Sequence, residues 1–578
     1  MREKIKNSNA LIAIGLTIVF VVVICCCWDL YYAVNDDVTT RNVIFGKYTG
    51  SAHPQGTLIK YPLAALLSGL FYIFSNIDVY GLFLVISHFV CFFMIVRSAL
   101  TKFPKQRGWV ILLAGIVFFM TDVPNIIYFQ FTTTATMYAA TGIFLLLTEK
   151  SVIKKMLPSI FLFALSFCIR KETFIMILPF IALAWLFKLY ENRKELKEII
   201  LKGVFYFLTL GVLCIGIDVI HNMANWEGYQ NKSYQEFSSH RTNIRDYDGA
   251  PDYDTNLAFY QSMGENGMSK EEYTLIRYQM VDMDFSSDIN SVLRDMHQYN
   301  LVIRSNIGFH DRMSLMKERF QNVSQRIMVK PQVMIGVLLL FLAVIYMVAT
   351  RKWIYLLFLV TGCMGVVAEV ALLLYKGRLP ERVLQSLMLI AVLWIFGICV
   401  QVFYNTSKTE NGNKRMLDII WYSLTVLSCL VVFAGWLFPA IEEKQVEYAE
   451  RYAKSELVNE YCLGHSENIY FSPYNFLSGD TDCLGTGYSN QFDNRIRIGL
   501  GSFAPAYYDM LETAGVTGTL EQAIVTQGNA YLIGENVEDE LIALDNYFSE
   551  KYGDTYSYEV VDVLDGDIYV WKVHLDEP

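Results

Sequence analysis

The stretch N-D-D-V-T-T-R places Asn35, Asp36 and Asp37 a few residues after the apolar run that ends at Trp28. Adjacent carboxylates beside a bilayer are costly to keep, so they are candidates for chemistry. The chemistry open to them is proton abstraction from a hydroxyl, or the holding of a divalent cation. The plainer alternative is that the pair caps the helix that follows. Two further clusters interrupt apolar runs. In F-C-I-R-K-E-T-F-I-M these are Arg170, Lys171 and Glu172, and in L-Y-K-G-R-L-P-E-R-V they are Lys376, Arg378, Glu381 and Arg382. Their five cations read either as salt-bridged tips of helix hairpins or as a basic rim that takes an anion, for which a lipid phosphate at the outer leaflet fits.

A base on one side and a basic rim on the other match one reaction. Sugar transfer from a polyprenyl phosphate needs a group that takes the proton of the acceptor hydroxyl, and cations that stabilise the departing phosphate. In that assignment Asp36 or Asp37 is the base, and Arg170, Lys171, Arg378 and Arg382 hold the phosphate. His53 or Glu172 orients the acceptor. Arg41, Lys60, Asp122, Lys376 and Glu381 complete the candidate substrate-binding set. No cofactor is required, although a divalent cation at Asp36 and Asp37 is compatible with the residue types. The expected partners are a polyprenyl-phosphate sugar in the membrane and a cell-envelope glycan or lipid acceptor; nucleic acid is not among them.

The elements that must position these groups follow from composition. Over half the residues, 54%, are hydrophobic, the mean hydropathy is +0.32, and several apolar runs are long enough to cross about 30 Å of hydrocarbon. The chain is therefore expected to be a polytopic α-helical membrane protein. Lys and Arg concentrate at the N-terminus and in alternate segments (97–107, 149–155, 188–197, Arg351 and Lys352, and 408–415). Assigned to the cytoplasm by the positive-inside rule, these require about eleven spans, near residues 10–28, 79–97, 109–121, 132–148, 157–169, 173–188, 201–219, 332–350, 353–374, 383–402 and 417–438. The N-terminus is then inside and the C-terminus outside. The scheme holds if residues 62–75 do not cross; at about 14 residues that stretch suits an interfacial or re-entrant helix.

The resulting organisation is an N-terminal transmembrane module over 1–219 with an external loop at 29–78, a large external helical loop over 220–331, transmembrane helices over 332–439, and an external α/β domain over 440–578. The net charge of −10 is uneven, because residues 441–578 hold 7 Lys and Arg against 26 Asp and Glu. Ser269 and Glu272 have capping-box spacing. Asp246, Asp248, Asp252 and Asp254 are a solvated turn rather than a calcium loop, since Gly249 and Pro251 break the spacing and no bidentate Glu closes it. Nine of the eleven cysteines lie in or beside spans, whereas Cys462 and Cys483 fall in the exposed tail, where a disulfide between them is expected.

The acidic pair directly after the first span, the large external loop after the seventh and the external C-terminal domain together resemble the C superfamily of membrane glycosyltransferases, over roughly residues 1–400. The resemblance implies that Asp36 or Asp37 is the base, that Asp122 in T-D-V-P-N corresponds to a second acidic position found in part of that superfamily, and that the sugar is inverted on transfer. N-D-D-V-T-T-R-N-V-I-F-G-K-Y-T-G with K-Y-P-L also looks like a group of Gram-positive surface-polymer membrane proteins. Three other readings compete. A polysaccharide polymerase or ligase would use His221, His240, His297 or His310. A transporter or flippase of lipid-linked sugars would need repeats or broken helices that the sequence does not display, and a scaffold leaves the charge clusters unexplained.

Overall fold

The computed structural model describes residues 2–575 except 48–51, 56–57, 104–105, 150–152, 226–228, 265–266, 328–329, 377–378, 408–411, 474–475, 478–493, 500–506 and 536–538. The chain opens with α1 (Arg2–Cys27), a two-residue strand β1 (Tyr31–Tyr32), α2 (Asn35–Phe45), α3 (Tyr61–Ile73), α4 (Val79–Lys102) and α5 (Arg107–Ile127). It continues with β2 (Tyr128–Phe129), α6 (Phe131–Thr148), α7 (Ile153–Ile169), α8 (Lys171–Glu191) and α9 (Leu196–Asn225). Among the described residues ten helices are long and apolar enough to cross a membrane, and the chain is a multi-pass membrane protein. With the shorter apolar helix α7 they coincide with the eleven expected spans. Helix α3 has 13 residues, so it rises only about 20 Å, less than the hydrocarbon thickness.

Helix α6 is the centre of the bundle. Every one of its residues is buried, and it packs against α4, α7, α8 and the later helix Glu381–Ser407. Its sequence T-T-T-A-T-M-Y-A-A-T-G is rich in small residues, which allow close helix approach. A Cβ at Gly142 would stand 2.7 Å from the Phe163 ring of α7.

The long loop after α9 holds α10 (Tyr229–Thr242), α11 (Leu257–Gln261), α12 (Lys270–Arg277), α13 (Ile289–Asn306) and α14 (Phe309–Ile327). The capping box is formed: the Glu272 amide donates to Ser269 Oγ at 3.1 Å and the Ser269 amide donates to Glu272 Oε2 at 3.1 Å. In the acidic stretch, Asp252 accepts from the Thr255 amide at 3.0 Å and Asp254 pairs with Lys270 at 3.1 Å, so both carboxylates serve local turns.

Helices α15 (Pro331–Ala349), α16 (Trp353–Lys376), α17 (Glu381–Ser407) and α18 (Gly412–Val432) return the chain to the bundle, and one wide turn, Phe433–Leu437, leads into α19 (Phe438–Gly464). Beyond α19 the tail forms strands β3 (Ile469–Ser472) and β4 (Arg495–Arg497), helices α20 (Tyr507–Thr513) and α21 (Leu520–Thr526), β5 (Ala530–Glu535), α22 (Asp539–Tyr552), β6 (Tyr556–Leu564) and β7 (Ile568–Leu575). The sheet order is β4-β3-β5-β7-β6, with β3 parallel to β4 and β5, and β7 antiparallel to β5 and β6. The expected α/β class is therefore present. Cys462 is buried at the end of α19, and Cys483 lies outside the described residues.

The loop and the tail share one hydrophobic core. Leu275, Met280 and Met283 pack with Phe471, Ile524, Leu544 and Trp571, and Val43 of α2 joins the same cluster. Polar contacts reinforce it. Asp282 accepts from the Gly499 amide at 2.7 Å and from Tyr507 Oη at 2.9 Å.

Candidate functional site

Strands β1 and β2 pair in parallel, Tyr31 with Tyr128 and Tyr32 with Phe129, and the Ala33 amide donates to the Phe129 carbonyl at 3.0 Å. This short ladder fixes the start of α2 beside the start of α6. Helix α2 carries Asp36 and Asp37 in its first turn, where a helix dipole favours negative charge. It ends at Gly46 in the left-handed region, φ 73°, with Lys47 donating to the Asn42 carbonyl at 2.9 Å.

The two carboxylates have different surroundings. Asp36 faces a cavity of about 850 Å³ and pairs with Arg382 Nη1 at 3.0 Å. Asp37 is fully buried; it accepts from Tyr80 Oη at 2.6 Å and from the Phe131 amide at 3.2 Å. Burial, and then the neighbouring Asp36 charge, push its carboxyl up to about 8, against the opposing hydrogen bonds. Asp37 thus holds the first turn of α6 and does not line the cavity, so candidacy as a solvent-reaching base passes to Asp36. The pair is divided between cavity and interior and offers no shared cation site, which does not fit a divalent ion held by both.

Seven expected site residues line this one cavity: Asp36, Lys60, Arg170, Lys171, Glu172, Glu381 and Arg382. Arg170, the N-cap of α8, donates to Thr132 Oγ1, lies 4.7 Å over the Phe131 ring and stands 3.9 Å from Glu172. Burial and the nearby Arg382 charge lower its proton affinity, yet a guanidinium stays charged in proteins. Lys60 and Lys171 share Asp218 of α9, at 2.8 and 3.0 Å. Glu381 pairs with Lys330 at 2.7 Å. Arg382 has a spare donor, because its buried Nε has no partner among the described residues.

Other expected residues stand elsewhere, for identifiable reasons. Arg41 is buried with Asp78 at 3.3 Å. His53 lies 3.9 Å from Asp509 of α20, in the C-terminal tail. Asp122 is buried within the bundle, 2.9 Å from His88 Nδ1, and Asn125 donates to it at 3.4 Å. Lys376 is exposed and does not line the cavity, and Arg378 lies outside the described residues. Of the histidines, only His221 lines the cavity among the described residues.

The structure adds residues that sequence reasoning missed. Ser238, Arg241, Thr242 and Arg245 line the cavity from α10 and the turn after it. Their spacing, i, i+3, i+4 and i+7, is one helix face, a signal present in the sequence. Lys330 and Lys444 also contribute, giving eight Lys and Arg against four Asp and Glu along the described wall. Tyr128 and Tyr448 form an aromatic side, with ring centres 4.9 Å apart. Asp218, in G-I-D-V-I-H, could have been found as an ionisable residue near the end of a span.

No family model matches the sequence, and a search of curated proteins found no match. Among solved structures, the fold is similar to the crystal structure of ArnT from Cupriavidus metallidurans in the apo state, with 9% identity over 96% of this chain and 97% of that one and a TM-score of 0.39. It is similar also to ArnT from the same organism bound to undecaprenyl phosphate, with 10% identity over 96% and 98% and a TM-score of 0.35. At TM-scores below 0.5 these likenesses carry no argument, and the functional reading rests on the cavity.

Proposed function

We propose that the protein is a membrane glycosyltransferase that moves a sugar from a polyprenyl-phosphate donor to a cell-envelope acceptor on the outer face. The observation that supports this most is the Asp36 carboxylate on the wall of a cationic cavity, 3.0 Å from an arginine that keeps a donor unused among the described residues. In the proposed reaction Asp36 takes the proton of the acceptor hydroxyl. The acceptor oxygen attacks the anomeric carbon from the face opposite the phosphate, the bond from that carbon to the phosphate oxygen breaks, and the sugar is inverted. The leaving phosphate keeps the bond electrons and is met by Arg382 and Arg170. The surplus of cations supports an anionic ligand over a neutral one.

Binding of decaprenyl phosphate to the purified protein in detergent tests the anion site. The wild type is expected to bind it, and a protein with both Arg170→Gln and Arg382→Gln about 10-fold or more weakly, because a cation on the phosphate acts in ground and transition states alike. Equal binding by the two proteins would remove the donor from this cavity.

The orientation belongs to the same proposal, with the N-terminus inside and the C-terminus outside. In intact cells a cysteine placed at Asn529 is expected to react with an impermeant thiol reagent, and one at Lys194 to be protected. The reverse pattern would invert the topology and put the cavity on the cytoplasmic face.

A further inference from the structure

Gln130, the N-cap of α6, lines the cavity and is only 4% exposed. Its side-chain oxygen is buried with no hydrogen-bond partner among the described residues. Buried amides are almost always paired, so an open one in a cavity wall points to a ligand. The backbone that holds it is fixed from several sides. The Gln130 carbonyl accepts from the Thr134 amide at 3.1 Å and from the Thr133 and Thr134 hydroxyls at 3.1 and 3.0 Å. Since the Thr134 hydroxyl donates there, it accepts from His88 Nε2 at 3.0 Å, and His88 Nδ1 faces Asp122. On the other side the Phe131 amide is held by Asp37 and Thr132 by Arg170.

We infer that Gln130 recognises a hydroxyl of the sugar carried by the lipid phosphate, and that the Thr134, His88 and Asp122 series positions it. This rests on the reading of the cavity as a lipid-phosphate sugar site. A carboxamide offers one acceptor and two donors, which match a hydroxyl that both donates and accepts. A phosphate oxygen accepts only, so it suits the guanidinium of Arg170 rather than the open oxygen of Gln130. Arg170 lies over the ring of Phe131, the next residue, so the cation for the phosphate and the amide for the sugar adjoin at one helix end.

The test compares decaprenyl phosphate with decaprenyl phosphate bearing glucose, galactose, mannose or N-acetylglucosamine, bound to the wild type and to Gln130→Met in detergent. The wild type is expected to prefer at least one glycosylated lipid. Gln130→Met should lose about 10-fold of that preference, the scale of one lost hydrogen bond with its partner left unpaired, while its affinity for bare decaprenyl phosphate stays the same. The ligand-free variant should melt at the same temperature or higher, because an unpaired buried amide has been replaced by an apolar side chain of similar size. Retention of the sugar preference, equal weakening for bare and glycosylated lipid, no sugar preference in the wild type, or a variant that melts lower or does not fold would each overturn the role of Gln130. Failure of the wild type to bind bare decaprenyl phosphate would instead remove the lipid-phosphate reading, and this inference with it.

Discussion

Replacing Asp36 by Asn is expected to lower sugar transfer by about 10² to 10⁴, the range for loss of a general base, while binding of the lipid-linked donor persists. Asp37→Asn, one residue away, should transfer at close to the wild-type rate. The difference comes from their surroundings. Asp36 meets the cavity, whereas both oxygens of Asp37 are engaged by Tyr80 and the Phe131 amide. An Asn at position 37 still accepts from these donors. Its effect should appear in stability against pH. With a folded-state value raised to about 8 and an ordinary unfolded value near 3.9, the Asp37 contribution is fully present below about pH 4 and is lost as pH rises toward and through 8. The wild type should therefore lose stability relative to Asp37→Asn between about pH 4 and 8, as read by thermal melts in one detergent. Normal transfer by Asp36→Asn would sink the catalytic assignment, and loss of transfer in Asp37→Asn alone would move the base to the buried member.

Glu521→Ala should cost about 2 kcal/mol in the body that the loop and the tail share, within the range for leaving buried donors unsatisfied. Glu521 is fully buried. It accepts from the Asp284 amide at 3.0 Å, from Tyr547 Oη at 2.8 Å and from Tyr552 Oη at 2.5 Å, and it pairs with Lys551 at 2.9 Å. Removing the carboxylate takes this acceptor from the Asp284 amide and Tyr552 Oη, whereas Tyr547 and Lys551 keep the Asp284 carbonyl at 2.8 and 2.7 Å. Because Asp284 belongs to the loop after α9 and Glu521 to the tail, the loss should appear as faster amide exchange over residues 267–288, with the bundle unaffected. Unchanged exchange in that segment would show that the apolar contacts of Leu275, Met280 and Met283 are sufficient to dock it.

The spans were legible because membrane insertion imposes length and apolarity on each helix separately, and the positions of Lys and Arg reflect topology. The basic rim was legible for a related reason, since Arg170 and Arg382 interrupt apolar runs at a cost that a lone charge makes visible. What separates Asp36 from Asp37 was not legible. Their neighbours Arg382, Tyr80 and Phe131 are 346, 43 and 94 residues distant in sequence, and only the β1 and β2 pairing decides which side chain faces inward. Asp122 illustrates the opposite error. An acidic residue in an external-looking turn suggested the site, but α5 continues to Ile127 and carries it into the bundle to meet His88. Gln130 gave no signal at all, because its distinction is a missing partner, which no residue type encodes.

The wall around Asp36 joins the first and last parts of the membrane bundle. Trp28 Nε1 donates to Glu442 at 3.1 Å, Asp29 and Gln445 exchange two hydrogen bonds of 3.1 Å, and Lys444 and Tyr448 of α19 face the cavity. During synthesis the acidic pair enters the membrane system early, yet the side that encloses it is translated more than 400 residues later. A nascent chain paused before α19 thus holds Asp36 and Arg170 without the side of the cavity that Lys444 and Tyr448 supply. The cavity is complete only when α19 is in place, so the order of synthesis delays its closure until the membrane helices have been made.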